Sequence, residues 1–146
     1  MACQFVEKPE KWAMCDLVPL SHWTKGRVTL LGDSAHSSTP FNGAGAGQAI
    51  EDAYVLGALL ALPECTQETL PVFLEAYEDA RLPRASGQQR HALQTVDVYH
   101  FVGPQGNNHE LIRDNLNTRF RWIWEHELLV DVEEAKAKLR KVGVIH

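Results

Sequence analysis

The chain has 146 residues, 45% of them hydrophobic and 23% charged, with a formal net charge of -5. That length and balance suit one globular domain with a core of its own, not a disordered segment. The acidic balance excludes a nucleic-acid binder, which needs a basic face to displace counterions from phosphates.

Met1–Lys8 contains no apolar stretch of signal-peptide length. Residues 1–20 read as one or two short strands, with Trp12-Ala-Met-Cys15 apolar and Asp16 and Pro19 as stops. Thr24-Lys25-Gly26 is a turn, and Arg27-Val-Thr-Leu-Leu31 has the compact apolar character of a buried strand. Residues 33–47 are rich in Ser, Thr, Asn, Gly and Pro and read as a loop; unstructured loops of that length tend to carry function. Ala46–Leu62 reads as a helix stopped by Pro63, with Ala49, Ala53, Gly57 and Ala61 forming a ridge of small side chains suited to close packing.

A second helix is predicted over Thr69–Leu82, with Leu70, Phe73, Leu74 and Tyr77 on its core face. Pro83 should break or kink it, and a third helix should follow to about Phe101 with Ala92, Leu93, Val96 and Tyr99 inward. Gly103–Asn108 is a loop, residues 109–127 are helical, and Asp131 is placed to cap a last helix ending near Lys141. Lys136, Lys138, Arg140 and Lys141 lie near Glu133 and Glu134, a solvated helix face and not a membrane patch. No apolar run spans a bilayer; the longest, Tyr54–Leu62, is too short. Cys3, Cys15 and Cys65 are odd in number and without metal or redox spacing, as expected of reduced thiols in the cytoplasm.

The informative stretch is Gly26–Ala53. A strand delivers Asp33 to its C-terminal end, a polar loop follows, and Gly43, Gly45 and Gly47 let backbone come close to a ligand. A helix begins at once, and its first N–H groups lack intrahelical partners and lie at the positive end of the helix dipole. Such a corner suits an anion or an electron-rich ring edge. An ionised Asp33 only accepts hydrogen bonds, which suits polyol hydroxyls and not phosphate. No Gly-Lys-Ser/Thr follows, so a P-loop is excluded, and Gln48 stands where a dinucleotide fingerprint would need its final glycine. The residues alone leave the ligand open.

Gly32-Asp33-Ser-Ala-His36, Pro40, Gly43-x-Gly45 and Ala49-Ile-Glu-Asp-Ala53 together resemble the second flavin signature of class A FAD-dependent monooxygenases. The Gly-Ala-Gly-Ala-Gly-Gln variant, Tyr77–Ala85 and Arg121–His126 resemble the salicylate-hydroxylase branch. The resemblance runs from about Trp12 to the last helix, with Ser34 in place of the more usual Ala.

It implies an α/β fold of the FAD/NAD(P)-binding aromatic-hydroxylase type, of which this is the C-terminal part, mostly helical with a few short strands. Residues 1–63 would carry the strands and the second FAD motif, and residues 64–146 a helical region packed on it. Together they would form a single incomplete domain. The resemblance also implies FAD as cofactor, NAD(P)H as co-substrate and an aromatic or phenolic substrate. Asp33 would accept from a ribityl hydroxyl, and Pro40 would lie beside the isoalloxazine. Gly43, Ala44, Gly45, Ala46 and Gly47 would line the flavin, with the amides of residues 45–47 at its pyrimidine edge. No residue is singled out as catalytic and no metal is expected. The N-terminal Rossmann unit for the ADP half of FAD is absent from these residues, so a missing N-terminal half is the expected partner. A non-catalytic truncated relative or helical interaction module is the alternative.

His36 reads as a residue holding the loop, and His91, His100 and His109, at intervals of nine, as surface or packing residues. Glu51 and Asp52 point apart on a helix and should bond nearby backbone. Arg81 and Arg84 should form structural salt bridges, and Trp122 and Trp124 should be core.

Overall fold

The computed structural model describes residues 7, 8 and 10–146. Part of the strand expected over residues 1–20, and Cys3, lie outside the described residues. From 10 to 20 there is no strand, and Trp12 and Met14 are exposed.

The first regular structure is an antiparallel hairpin, β1 (Thr24–Lys25) and β2 (Val28–Thr29), pairing Thr24 with Thr29 and Lys25 with Val28. The expected turn is thus displaced by two residues. Gly26, at φ +61°, opens the two-residue connection, the conformation a tight hairpin needs and side chains disfavour. Arg27–Leu31 is not a buried strand: only two of its residues pair, and Val28 is 67% exposed. Among the described residues β2 has one partner strand and a helix on one face, so its outer face stays open.

The expected loop over 33–47 is broken by a helical turn, α1 (Asp33–His36), and a 3-10 turn, Pro40–Asn42. Then come α2 (Gly45–Leu60), α3 (Leu70–Tyr99), α4 (His109–Thr118), α5 (Arg121–Trp124) and α6 (Leu128–Lys141). The protein is mostly helical with two short strands. Among the described residues no helix is long and apolar enough to cross a membrane.

The core lies where α3 packs against α2, α6 and the hairpin, with Trp23, Val55, Leu59, Phe73, Tyr77, Val132 and Leu139 buried together. The ridge of small residues on α2 is not the packing face: Ala53, Gly57 and Ala61 are exposed. The buried face is Gln48, Asp52, Val55 and Leu59, half of it polar. Helix α3 runs unbroken through Pro83. Proline costs the helix one hydrogen bond there, but Arg81 and Arg84 tie both sides of it to α2. Beyond Pro83 the inward face is Ala92, Thr95 and Val98, while Leu93 and Tyr99 are exposed. The apolar pattern misleads because buried Thr95 is a hydrogen-bonding residue.

Residues 109–127 do not form one helix. Asn108 caps α4 by accepting from the amides of Glu110 and Leu111, and α5 is a separate turn. Helix α6 starts at Leu128, so Asp131 falls inside its first turn. Its carboxylate is taken by Arg81 and is not left for capping. Trp124 is 72% exposed and Trp122 38%, not core: Trp122 lies against Arg84 and His91 on the flank of α3, and Trp124 stacks on Phe120.

Candidate functional site

Gly32 is the pivot of the corner. Its backbone, at φ 60° and ψ -140°, is in a region that side chains avoid. Its amide donates to Asp52 Oδ2 (3.0 Å), and its carbonyl accepts from Ala35 and His36 (2.8 and 2.9 Å). A Cβ on Gly32 would stand 3.2 Å from that of Ala49, so the strand end lies directly against α2. The chain then turns into α1 with Asp33 exposed, and the Asp33 carboxylate has no side-chain partner among the described residues.

Beyond the Pro40–Asn42 turn, closed by Gly43 N–H to the Pro40 carbonyl (2.9 Å), Gly43 adopts φ +61°. Pro40 and Gly43 are exposed, and Ala44 is buried. Helix α2 has no side-chain cap, and its first backbone bond is Gln48 N–H to Ala44 O (2.9 Å). The amides of Gly45, Ala46 and Gly47 are therefore free of intrahelical partners. A Cβ at residue 43, 45 or 47 would meet nothing within 4 Å, so this backbone faces open space. Asp33 is not delivered at a strand end as expected, since β2 stops at Thr29 and Asp33 opens α1; the corner offers bare donors at the positive end of α2 and a carboxylate acceptor at the start of α1.

Behind it stands a buried ionic hub: the salt bridges expected of Arg81 and Arg84 are present, while their partners and the depth of burial were not anticipated. Arg81 is fully buried. It donates through Nε to Asp52 Oδ1 (2.9 Å), through Nη1 to Asp131 Oδ2 (2.8 Å) and through Nη2 to Gln48 Oε1 (3.1 Å). Nη1 also lies 2.8 Å from Glu51 Oε2. Asp52 Oδ2 further binds His36 Nε2 at 2.6 Å, so His36 is buried in the hub. Arg84 binds Glu51 with two bonds of 2.7 Å. The expected backbone bond exists for Asp52 but not for Glu51, whose carboxylate is occupied by the two arginines.

Burial alone would raise the Asp52 pKa, but His36, the Gly32 amide and Arg81 outweigh it and hold the carboxyl below its ordinary range. Glu51 is held low likewise, against burial, by Arg84 and Arg81. Glu51, His126 and Asp131 bring ligand-type atoms within 4.8 Å of one another, but the cation between the carboxylates is Arg81. The signal that could have revealed the hub was Gln48 and Asp52 recurring with Val55 and Leu59 on one face of α2.

The groove between α3 and α6, lined by Ala76, Asp79, Ala80, Lys138 and Lys141, is remote in composition from this corner. Comparison with known proteins places the corner in context. The family model described as an FAD binding domain matches residues 6–92. A salicylate hydroxylase of Pseudomonas putida is 44% identical over 135 residues, 92% of this chain and 31% of that protein. The 6-methylsalicylate 1-monooxygenase of Aspergillus terreus is 34% identical over 86% of this chain and 28% of its own length. A solved salicylate hydroxylase substrate complex superposes with a TM-score of 0.82 at 37% identity, covering 85% of this chain and 30% of that one. The chain thus spans about a third of the length of the curated relatives it matches.

Proposed function

The chain belongs to the FAD binding domain family, among its salicylate-hydroxylase-like class A flavin monooxygenases, and on that premise we propose that it supplies the second flavin-contacting segment of an FAD-dependent aromatic hydroxylase. The observation that carries the reading is the uncapped head of α2, open to a ligand, on a helix whose Ala49 meets the Gly32 turn that leads into Asp33.

The donor set fits FAD. The bare amides of Gly45, Ala46 and Gly47 would take the electron-rich pyrimidine edge of the ring system, where their dipoles stabilise negative charge. Asp33 would accept from the ribityl chain, and Pro40, Gly43 and Ala44 would present backbone beside the rings. When bound and reduced by NAD(P)H, the flavin supplies the oxygen chemistry by which one atom of O2 enters an aromatic or phenolic substrate. This chain's own work is to bind, orient and polarise. The hub around Arg81 makes that corner rigid, and His36 serves it as a structural residue. Residues 1–63 form the flavin segment in this reading, and residues 64–146 are the helical region that supports it.

A chimaera tests the proposal: this chain replaces the corresponding third of the P. putida salicylate hydroxylase. It should purify with flavin and consume NAD(P)H with salicylate. Asp33→Ala removes a hydrogen bond to a charged group, about 1.5–3 kcal/mol, so the FAD dissociation constant should rise roughly 10- to 100-fold. Flavin content indifferent to Asp33→Ala and to bulk at Gly47 would refute the assignment.

A further inference from the structure

We propose that Asn42 is a positioning residue for the flavin corner, clasped from α3 by Gln88, His91 and Thr95. The inference rests on the reading that Pro40–Gly47 flank the flavin, and it adds what fixes them in place.

Asn42 ends the 3-10 turn, directly before left-handed Gly43 and close to the head of α2. Its side chain leaves the open side of the corner and enters the face of α3. Nδ2 donates to Gln88 Oε1 (2.8 Å) and lies 3.0 Å from His91 Nδ1, and Oδ1 accepts from Thr95 Oγ1 (2.6 Å). Gln88 and Thr95 are buried, and 88, 91 and 95 share one helical face. Gln88 Nε2 also reaches Ser38 Oγ at 3.4 Å, tying down the entry to the turn.

The proton count closes. The two N–H groups of the Asn42 amide meet one acceptor each, which requires His91 Nδ1 to be unprotonated. The Thr95 hydroxyl has one proton, and Asn42 Oδ1 is its nearer acceptor, with the His91 carbonyl at 2.9 Å. The His91 ring is held edge-on between Phe120 and Trp122, with centroids at 6.0 and 5.3 Å. Burial and the neighbouring Arg119 charge push the His91 pKa below its ordinary value, in keeping with the neutral ring.

A three-residue turn with one internal hydrogen bond cannot fix its own position. The turn packs on α3, where Phe41 meets Tyr99 edge-on, and Asn42 is the side chain of the turn that is hydrogen-bonded to that helix. Phe41 packing is non-directional, so the hydrogen bonds of this clasp set how Pro40 and Gly43 present their backbone. A site held by packed second partners is preorganised, and one left loose loses affinity.

The test compares Thr95→Val, which keeps the shape and removes the hydroxyl, with Thr95→Ser, which restores it, and with Asn42→Ala. In the 146-residue chain, 15N order parameters over residues 41–46 should drop from about 0.85 to below about 0.6 in Thr95→Val and Asn42→Ala, and recover in Thr95→Ser. In the chimaera, FAD binding followed by flavin fluorescence should weaken about tenfold in the first two and return in the third; that fold is about 1.4 kcal/mol. If Asp33→Ala weakens FAD binding while Thr95→Val leaves affinity and order parameters unchanged, the clasp is refuted and the flavin corner stands. If neither Asp33→Ala nor Thr95→Val alters FAD binding although Thr95→Val loosens the turn, the flavin reading fails and the positioning role falls with it.

Discussion

At Gly32 two independent constraints meet in one residue: a backbone conformation reserved for glycine and a neighbouring Cβ only 3.2 Å away. Gly32→Ala should therefore destabilise the chain by about 1–3 kcal/mol through backbone strain, with the Ala49 contact adding to it. A urea titration that finds no loss would contradict the geometry. Arg81 behaves differently. It is shared by three carboxylates, Glu51, Asp52 and Asp131, so Arg81→Met takes the guanidinium away from buried Asp52 and Asp131. A cost of about 3–5 kcal/mol is expected, since breaking a buried pair strands its partner. Arg81→Lys should rescue little, because one ammonium cannot reproduce donors aimed at Asp52, Asp131 and Gln48 at once. Full recovery of the urea midpoint by lysine would show that charge alone matters there.

Among the elements, α2 separates glycines that serve a ligand from glycines that serve the fold. Neither Gly47 nor Gly57 has a positive φ, and a Cβ on either meets nothing within 4 Å. Alanine should stabilise the isolated chain at both places by roughly 0.5–1 kcal/mol, by restricting the unfolded chain. Only Gly47→Ala should also weaken FAD in the chimaera. Equal effects on flavin would dissolve the distinction. The motif around Gly47 was legible in the sequence because glycine spacing and a bare helix start are local features. The helical face that supports it was not. Buried Arg81 pairs with Asp52 across 29 positions, and buried Gln88 and Thr95 pair with Asn42 across 46 and 53, and apolar periodicity is blind to such pairs. The same blindness placed Leu93 and Tyr99 inward; at Pro83 the expected break fails for another reason, since tertiary ties to α2 override a local helix breaker.

For the molecule as a whole, these buried pairs dictate the response to acid. Glu51 and Asp52 on α2 and Glu78 on α3 all have carboxyls held below their ordinary values of 4.5, 3.8 and 4.5. At Glu78 burial opposes the shift, and the amides of Trp23 and Thr24, at 2.8 and 2.5 Å, together with His22 overcome it. The unfolded chain therefore takes up protons at these sites first, and their stabilisation, complete near neutrality, is lost as pH falls through about 4.5 and below. His91 acts earlier and with the same sign. Its folded pKa lies under the ordinary 6.5, so the unfolded state gains a proton while the folded ring stays neutral. Urea midpoints measured from about pH 8 to about pH 3 should be flat at first, decline gently below about 6.5 and fall steeply below about 4.5. His91→Gln should remove the gentle decline and keep the steep one. Because Asp52 and Arg81 are fully buried, added salt should scarcely blunt the steep phase. A midpoint that rises on acidification, or an acid transition abolished by salt, would mean that the hub does not join α2, α3 and α6 in the folded chain.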